Sequence, residues 1–274
     1  MNRKNFSSTT LFLLLICLIG GQTGWSAPWP QFFSGIDEKE EIRIGREAAR
    51  QVERENRLIR NRRVADYIQD LGQRLALRSG RPDLRYRFKV IDGREVNAFA
   101  LPGGFIYLNR GIIQLAENES ELAGVLAHEL AHVSESHGVE QVEKAQKIGF
   151  GLGMLDLFLG RTRSTKESLT ALGAGLFAQG VFSKYSRDAE READRIGVET
   201  LRQTGMNPSG MVSLFHRMET LRKTQPGLVE NFFSSHPSLA ERQENVAELL
   251  VPADDRLQID TRHFQQIKRI LGAP

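Results

Sequence analysis

The stretch Val125-Leu126-Ala127-His128-Glu129-Leu130-Ala131-His132-Val133 constrains this chain more than any other feature, because its apolar residues demand burial and its polar ones resist it. An α-helix advances 3.6 residues per turn, so His128 and His132 leave it on one face, one turn apart, with Glu129 beside them. The run from Ser120 to Ala127 is apolar around most of the circumference, which predicts a helix inside the core with Asn118 or Ser120 as its N-cap. Burying two imidazoles and a carboxyl group without partners costs about 2–7 kcal/mol for each neutral polar group. A divalent cation compensates all three. Two imidazoles at i and i+4 hold a single Zn²⁺, and the intervening glutamate reaches water at the metal, which is the working helix of a zinc peptidase. The same pattern also arises by chance in helices carrying two surface histidines, and the apolar context is what argues against that here.

Zinc needs a third protein ligand. A metzincin would place Gly three residues and His six residues after the second histidine, where this chain has Glu135 and Gly138, so that class is excluded. His137 is about 140° round the helix from His132, a poor position for the same ion. It reads instead as a histidine bonded to a neighbour or closing the helix before Gly138. The better source is Ser186-Arg187-Asp188-Ala189-Glu190-Arg191-Glu192-Ala193-Asp194-Arg195-Ile196-Gly197. On a helix Glu190 and Asp194 share a face and Glu192 points to the other side. A ligand histidine usually gives its second ring N–H to a carboxylate, so Glu190 is assigned as ligand and Asp194 as the group that orients a ligand histidine. The alternative is a solvated helix face with ordinary salt bridges.

Together, His128-Glu129-x-x-His132 and Ser186-Arg187-x-x-Glu190-x-x-Ala193-Asp194 resemble the gluzincin zinc metallopeptidases that include the CaaX prenyl endopeptidase, HtpX and BepA. Asn97-Ala98-Phe99-Ala100-Leu101-Pro102-Gly103-Gly104 and His236-Pro237-Ser238-Leu239-Ala240-Glu241-Arg242 extend the likeness over roughly Asp37 to Leu250. The resemblance implies that His128, His132 and Glu190 bind one zinc, that Glu129 is the general base and that Asp194 stands behind a ligand. It also implies that His236 is a switch ligand, taking the fourth zinc position and holding the enzyme latent. Plain packing, or a cap contact near Ser238, is the other reading of His236. Arg242 is read as contacting a substrate carbonyl or pairing with Glu241 or Glu244. Relatives such as BepA continue into helical repeats, and recognition of partners through such repeats is not expected from the residues up to Pro274.

The expected chemistry is hydrolysis by activated water, with no covalent intermediate. Glu129 takes a proton from that water and passes it to the leaving amine. His236, Tyr185 and Arg242 are candidates for the second oxyanion donor. Gly104, Phe105, Ile106 and Tyr107, opened by Pro102-Gly103-Gly104, read as an exposed edge strand to which an extended peptide adds. An interior strand is the alternative.

The N-terminus carries Arg3 and Lys4, an apolar core from Leu11 to Ile19, and small residues up to Ala27, which is the pattern of a signal peptide over residues 1–26 with cleavage after Ser26. Its apolar run is about half of the ~20 residues that span a bilayer. Cys17 is the only cysteine and lies in this leader, so the mature chain is expected to be thiol-free, in a bacterial periplasm. The 37 Lys and Arg stand against 34 acids, and loss of Arg3 and Lys4 brings the balance from +3 to about +1, which argues against nucleic acid as a partner. A basic patch around Arg57–Arg63 reads as a solvated helix turn.

Helical spacing of apolar residues predicts helices over 37–55, 64–77, 112–116, 119–137 (extending toward Lys147), 188–204, 208–221 and 239–250, with a last one capped by Thr261 and ending at Gly272. Strands are predicted at 84–91, 96–100 and 104–108. The fold expected is α+β: a mainly helical, zincin-type metallopeptidase domain over 27–274 with a small β-sheet beside the active-site helix. Two apolar Gly-containing stretches within 150–182, joined by a basic hinge, are too short to cross a membrane. They read as a helical hairpin on the core or as a flap that gates the cleft or touches the membrane surface. The function expected is an endopeptidase acting on misfolded or unassembled envelope proteins, outer-membrane or periplasmic, with peripheral membrane contact. The alternative class is a periplasmic chaperone or assembly factor with a latent or structural zinc site.

Overall fold

The buried helix that the histidine pair calls for forms the axis of the fold. In the computed structural model the described residues are 35–145, 185–236, 239–250 and 256–272. They form α1 (Glu38–Glu55), α2 (Arg62–Ala76), β1 (Arg87–Ile91), β2 (Ala98–Leu101), β3 (Phe105–Asn109), α3 (Arg110–Leu115), α4 (Glu119–Ser134), α5 (Arg187–Gln203), α6 (Ser209–Thr224), α7 (Glu230–Ser235), α8 (Leu239–Leu249) and α9 (Arg262–Leu271). The leader expected over 1–26 and the hairpin or flap expected over 150–182 lie outside the described residues, as does the helix extension beyond 145.

Every residue of α4 from Glu119 to Val133 is buried, as its nearly all-round apolar sequence requires. Asn118 is its N-cap, its side-chain oxygen accepting the Glu121 N–H at 3.0 Å. Ser120 lies inside the first turn instead and donates to the Asn207 carbonyl. The buried Glu121 carboxylate meets the positive end of the helix and also accepts from the Glu117 N–H and from Arg217. Helices α2, α5 and α6 and strand β2 surround α4. The approach of α6 is close: a Cβ on Gly210 would stand 2.5 Å from Ser120 Oγ and 2.6 Å from its carbonyl carbon.

The sheet has the order β1-β3-β2, with β1 and β3 parallel and β2 and β3 antiparallel. This corrects the edge-strand expectation for Gly104, Phe105, Ile106 and Tyr107. Phe105–Asn109 is the central strand, hydrogen-bonded on both sides and buried at every position. The physical reason is visible in its unbroken apolar run, which fits burial on both faces better than the alternation of a half-exposed strand. Among the described residues, the strand with one free edge that packs against α4 is β2. The β2–β3 turn uses Gly103 and Gly104 at φ +73° and +88°, a left-handed backbone that favours glycine. Gly103 N–H donates to the buried Glu41 carboxylate at 2.9 Å, and Arg81 pairs with the same carboxylate at 2.9 Å, so α1 clamps the turn.

Two further expectations are corrected. The chain at 57–59 is not a helix turn: Leu58 bridges Ile91, and the Ile59 N–H donates to the Val90 carbonyl, so backbone pairing to the outer side of β1 prevails over local charge pattern. Helix α4 does not run on through His137. It stops at Ser134, Ser136 takes φ +58°, and the chain is helical again over 137–145. Thr261 caps α9 by accepting the Phe264 N–H at 3.0 Å, and Gly272 at φ +79° ends it, as the sequence predicts.

Candidate metal centre

His128, Glu129 and His132 come from the second half of α4, Glu190 and Asp194 from the first half of α5, His236 from the residue after α7, and Arg242 from α8. Ser186 caps α5, accepting the Ala189 N–H at 3.2 Å, so Glu190 lies in its first turn. At Gly197 the two helices nearly touch: a Cβ there would stand 3.4 Å from the His128 backbone nitrogen. All seven side chains are buried.

One ligand atom from each of His128, His132, Glu190 and His236 falls within 4.8 Å of the others. His128 Nε2 is 3.0 Å from His132 Nε2, 3.4 Å from His236 Nδ1 and 3.5 Å from Glu190 Oε2. Glu190 Oε1 is 3.4 Å from His132 Nε2 and 3.1 Å from His236 Nδ1. A cation bound at about 2.0–2.2 Å by four tetrahedral donors sets those donors about 3.3–3.6 Å apart, so this group fits Zn²⁺ in donor type and in spacing. Two imidazole nitrogens 3.0 Å apart in a buried site also need something positive between them, a proton or a metal. Glu129 adds a second indication. Neither of its carboxyl oxygens has a hydrogen-bond partner, and Oε1 lies 3.5 Å from His236 Nε2.

Behind the cluster, Asp194 Oδ1 is 3.0 Å from His128 Nδ1, the placement assigned to it from sequence. Arg242 is found with neither Glu241 nor Glu244. It grips Asp194 through Nε at 2.8 Å and Nη2 at 2.7 Å, sets Nη1 2.7 Å from Glu190 Oε2, and lies over the Phe215 ring. Glu241 pairs with Arg191 and Arg187 on the surface. Nothing local in the sequence marks a buried arginine. Tyr185 stacks on the His132 ring, centroids 3.8 Å apart and planes 14° from parallel. His137, not expected to share the ion, lies outside the four-donor group, with its Nδ1 2.9 Å from His132 Nδ1.

Charge in the cluster is strongly coupled. Burial alone would raise the Glu190 and Asp194 carboxyls, yet both are held below their ordinary values, Glu190 by the charges of His236 and Arg242 and Asp194 by Arg242. Burial holds His132 far below the ordinary histidine value. For His128, burial and Arg242 oppose the charged form, but Asp194 and Glu190 outweigh them and raise it to about 9. Burial, with Glu129 and Glu190 nearby, raises the Tyr185 phenol and keeps its proton on.

A small cavity lined by Ala100, Leu101, Pro102, His132 and Tyr185 joins the end of β2 to the cluster. Among the described residues the arrangement therefore combines a three- or four-donor metal cradle, a carboxyl group without a hydrogen-bond partner, a protonated phenol and an outer strand.

Residues 62–250 match the model of Peptidase family M48. The chain is 31% identical over 185 residues to the beta-barrel assembly-enhancing protease of Escherichia coli (strain K12), covering 65% of this chain and 37% of that protein. It is 31% identical over 187 residues to the mitochondrial metalloendopeptidase OMA1 of Schizosaccharomyces pombe (strain 972 / ATCC 24843), covering 68% of this chain and 53% of that one. It is 30% identical over 186 residues to the metalloprotease YcaL of Escherichia coli (strain K12), covering 68% of each. The match thus spans little more than a third of the first of these relatives.

Proposed function

Because the chain belongs to peptidase family M48, a family of zinc metallopeptidases, we propose that it is a zinc-dependent endopeptidase of misfolded or unassembled envelope proteins. The observation that carries this reading is the unpartnered, buried Glu129 beside a four-donor cluster of His128, His132, Glu190 and His236.

His128, His132 and Glu190 would hold the ion, and Asp194, 3.0 Å from His128 Nδ1, would accept its outer N–H. A zinc ion held there would supply Lewis-acid polarisation of the scissile carbonyl and would bring the pKa of water down to about 7. Glu129 accepts the proton of the attacking water and returns it to the leaving nitrogen. Tyr185, whose phenol keeps its proton, donates to the developing oxyanion. The substrate main chain adds alongside β2, Ala98–Leu101, whose end opens onto the cavity beside His132. Arg242 is too enclosed by Asp194 and Glu190 to serve substrate directly and holds those two acids in place.

His236, the fourth donor of the group, would close the site to substrate and keep it latent until a client displaced it. Replacing it by alanine is expected to raise basal cleavage of an unfolded protein such as casein on the order of tenfold, since a competent state that is a minor population is then freed. An unchanged or lower rate at full zinc content rejects latency.

Residues 1–26 direct the chain to the periplasm, and the metallopeptidase domain, matched by the family over 62–250, is the part that acts there. The pattern at Arg3–Ala27 supports that address, and the name of the relative from Escherichia coli connects that protein to β-barrel assembly. Among the described residues no helix is long and apolar enough to cross a membrane. A chaperone with a structural zinc would share the four-donor cluster but has no use for an unpartnered Glu129. Removal of metal is the direct test of the enzyme. A chelator should abolish casein cleavage and added zinc should restore it. Cleavage that persists in metal-free protein refutes the reading.

A further inference from the structure

We infer that His137, backed by Glu192, is a positioning residue for the metal that fixes the tautomer and ring orientation of His132. The inference rests on the reading of His128, His132 and Glu190 as zinc ligands.

On an uninterrupted helix His137 would sit about 140° away from His132 and could not reach it. The break after Ser134, with Ser136 at φ +58°, turns the chain back so that His137 Nδ1 lies 2.9 Å from His132 Nδ1. The other nitrogen of His132, Nε2, faces the cluster, 3.0 Å from His128 Nε2 and 3.4 Å from Glu190 Oε1. To present a lone pair to a cation from Nε2, His132 must carry its ring proton on Nδ1. That proton needs an acceptor, and His137 Nδ1 is in place to accept it. The His137 proton is then on Nε2, which faces Glu192 Oε2 at 3.3 Å. A single choice of tautomers satisfies the whole row.

The two ligand histidines are thus supported differently. His128 has a carboxylate directly behind it, itself locked by Arg242. His132 has a buried imidazole behind it, and the carboxylate stands one group further out on the exposed side of α5, with 46% of its side chain open to solvent. Tyr185 covers the flat face of the His132 ring and His137 holds its edge, so the ring cannot swing without losing both. Outer partners of this kind raise ligand basicity and remove the entropy of a free ring.

The test is the zinc dissociation constant of the full chain, measured by competition with a chromophoric chelator. His137→Phe keeps a flat ring but no acceptor, and should weaken zinc binding about 10- to 100-fold. His137→Asn places an amide oxygen where Nδ1 stood and should restore most of the loss. Glu192→Gln should weaken binding less than His137→Phe, in the same direction. Wild-type affinity in His137→Phe overturns the inference, and so does an Asn variant as weak as the Phe one, since that would mean packing alone. If His137→Phe does not fold, the half-exposed Glu192→Gln decides, and unchanged affinity there overturns it. Absence of zinc from the unaltered chain would instead bring down the ligand assignment underneath.

Discussion

Glu129→Gln is expected to lower peptide-bond cleavage by about 10²–10⁴-fold, the range for loss of a general base, while zinc content and fold remain those of the unaltered chain. Stability should not fall. Neither Glu129 oxygen has a hydrogen-bond partner, so its loss breaks no hydrogen bond and only the 3.5 Å approach to His236 Nε2 is weakened, while an unpaired buried polar group is itself costly. A carboxyl group retained in such a place is explained by chemistry better than by folding. Turnover, bound zinc and thermal midpoint measured on the same preparations separate the possibilities. A Gln variant with undiminished turnover removes Glu129 from the mechanism, and one that melts well below the unaltered chain makes it structural.

The second large effect is on stability. Arg242→Met should destabilise the metal-free protein by about 3–5 kcal/mol, because it leaves Asp194 and Glu190 buried without their guanidinium partner. For a domain of this size that is a fall in melting temperature on the order of 10 °C. The pH dependence has a definite sign. Burial would raise the Asp194 carboxyl, but Arg242 holds it below its ordinary 3.8, so its contribution to stability is present above about that pH and is lost as pH falls through the lowered value. In the methionine variant both acids protonate more readily, and the gap between the two proteins should narrow toward acid pH. Bound zinc supplies positive charge to the same acids and should shrink the gap at neutral pH. Equal melting curves for the metal-free proteins at pH 7 would show that Arg242 does not carry this load.

How much of the site was legible depended on how local each relation is. His128 with His132, and Glu190 with Asp194, are i,i+4 pairs, and helix geometry alone puts each pair on one face. The caps at Asn118, Ser186 and Thr261 are equally local, since each side chain meets the N–H three residues on. Arg242 was not legible in this way. On a mostly polar helix nothing distinguishes an arginine turned inward from its exposed neighbours, and only the packing of α8 against α5 sends it to Asp194. The turn at Ser136 was hidden for a similar reason. A left-handed residue is usually announced by glycine or asparagine, and here it is a serine.

The sheet shows the same division. Its three strands were readable to within a few residues, but the last of them in the chain is the middle one in space, and hydrogen bonding between strands distant in sequence decides that order. The donor chemistry was readable from the residues: which imidazoles and carboxylates can share an ion, and that a glutamate stands beside them. Helical periodicity fixes those relations over a single turn. Long-range packing is what brings Arg242 onto the two acids, folds His137 back on His132 and makes β2 rather than β3 an outer strand among the described residues. Each of these joins segments brought together only when the core packs, and no local periodicity encodes such a meeting.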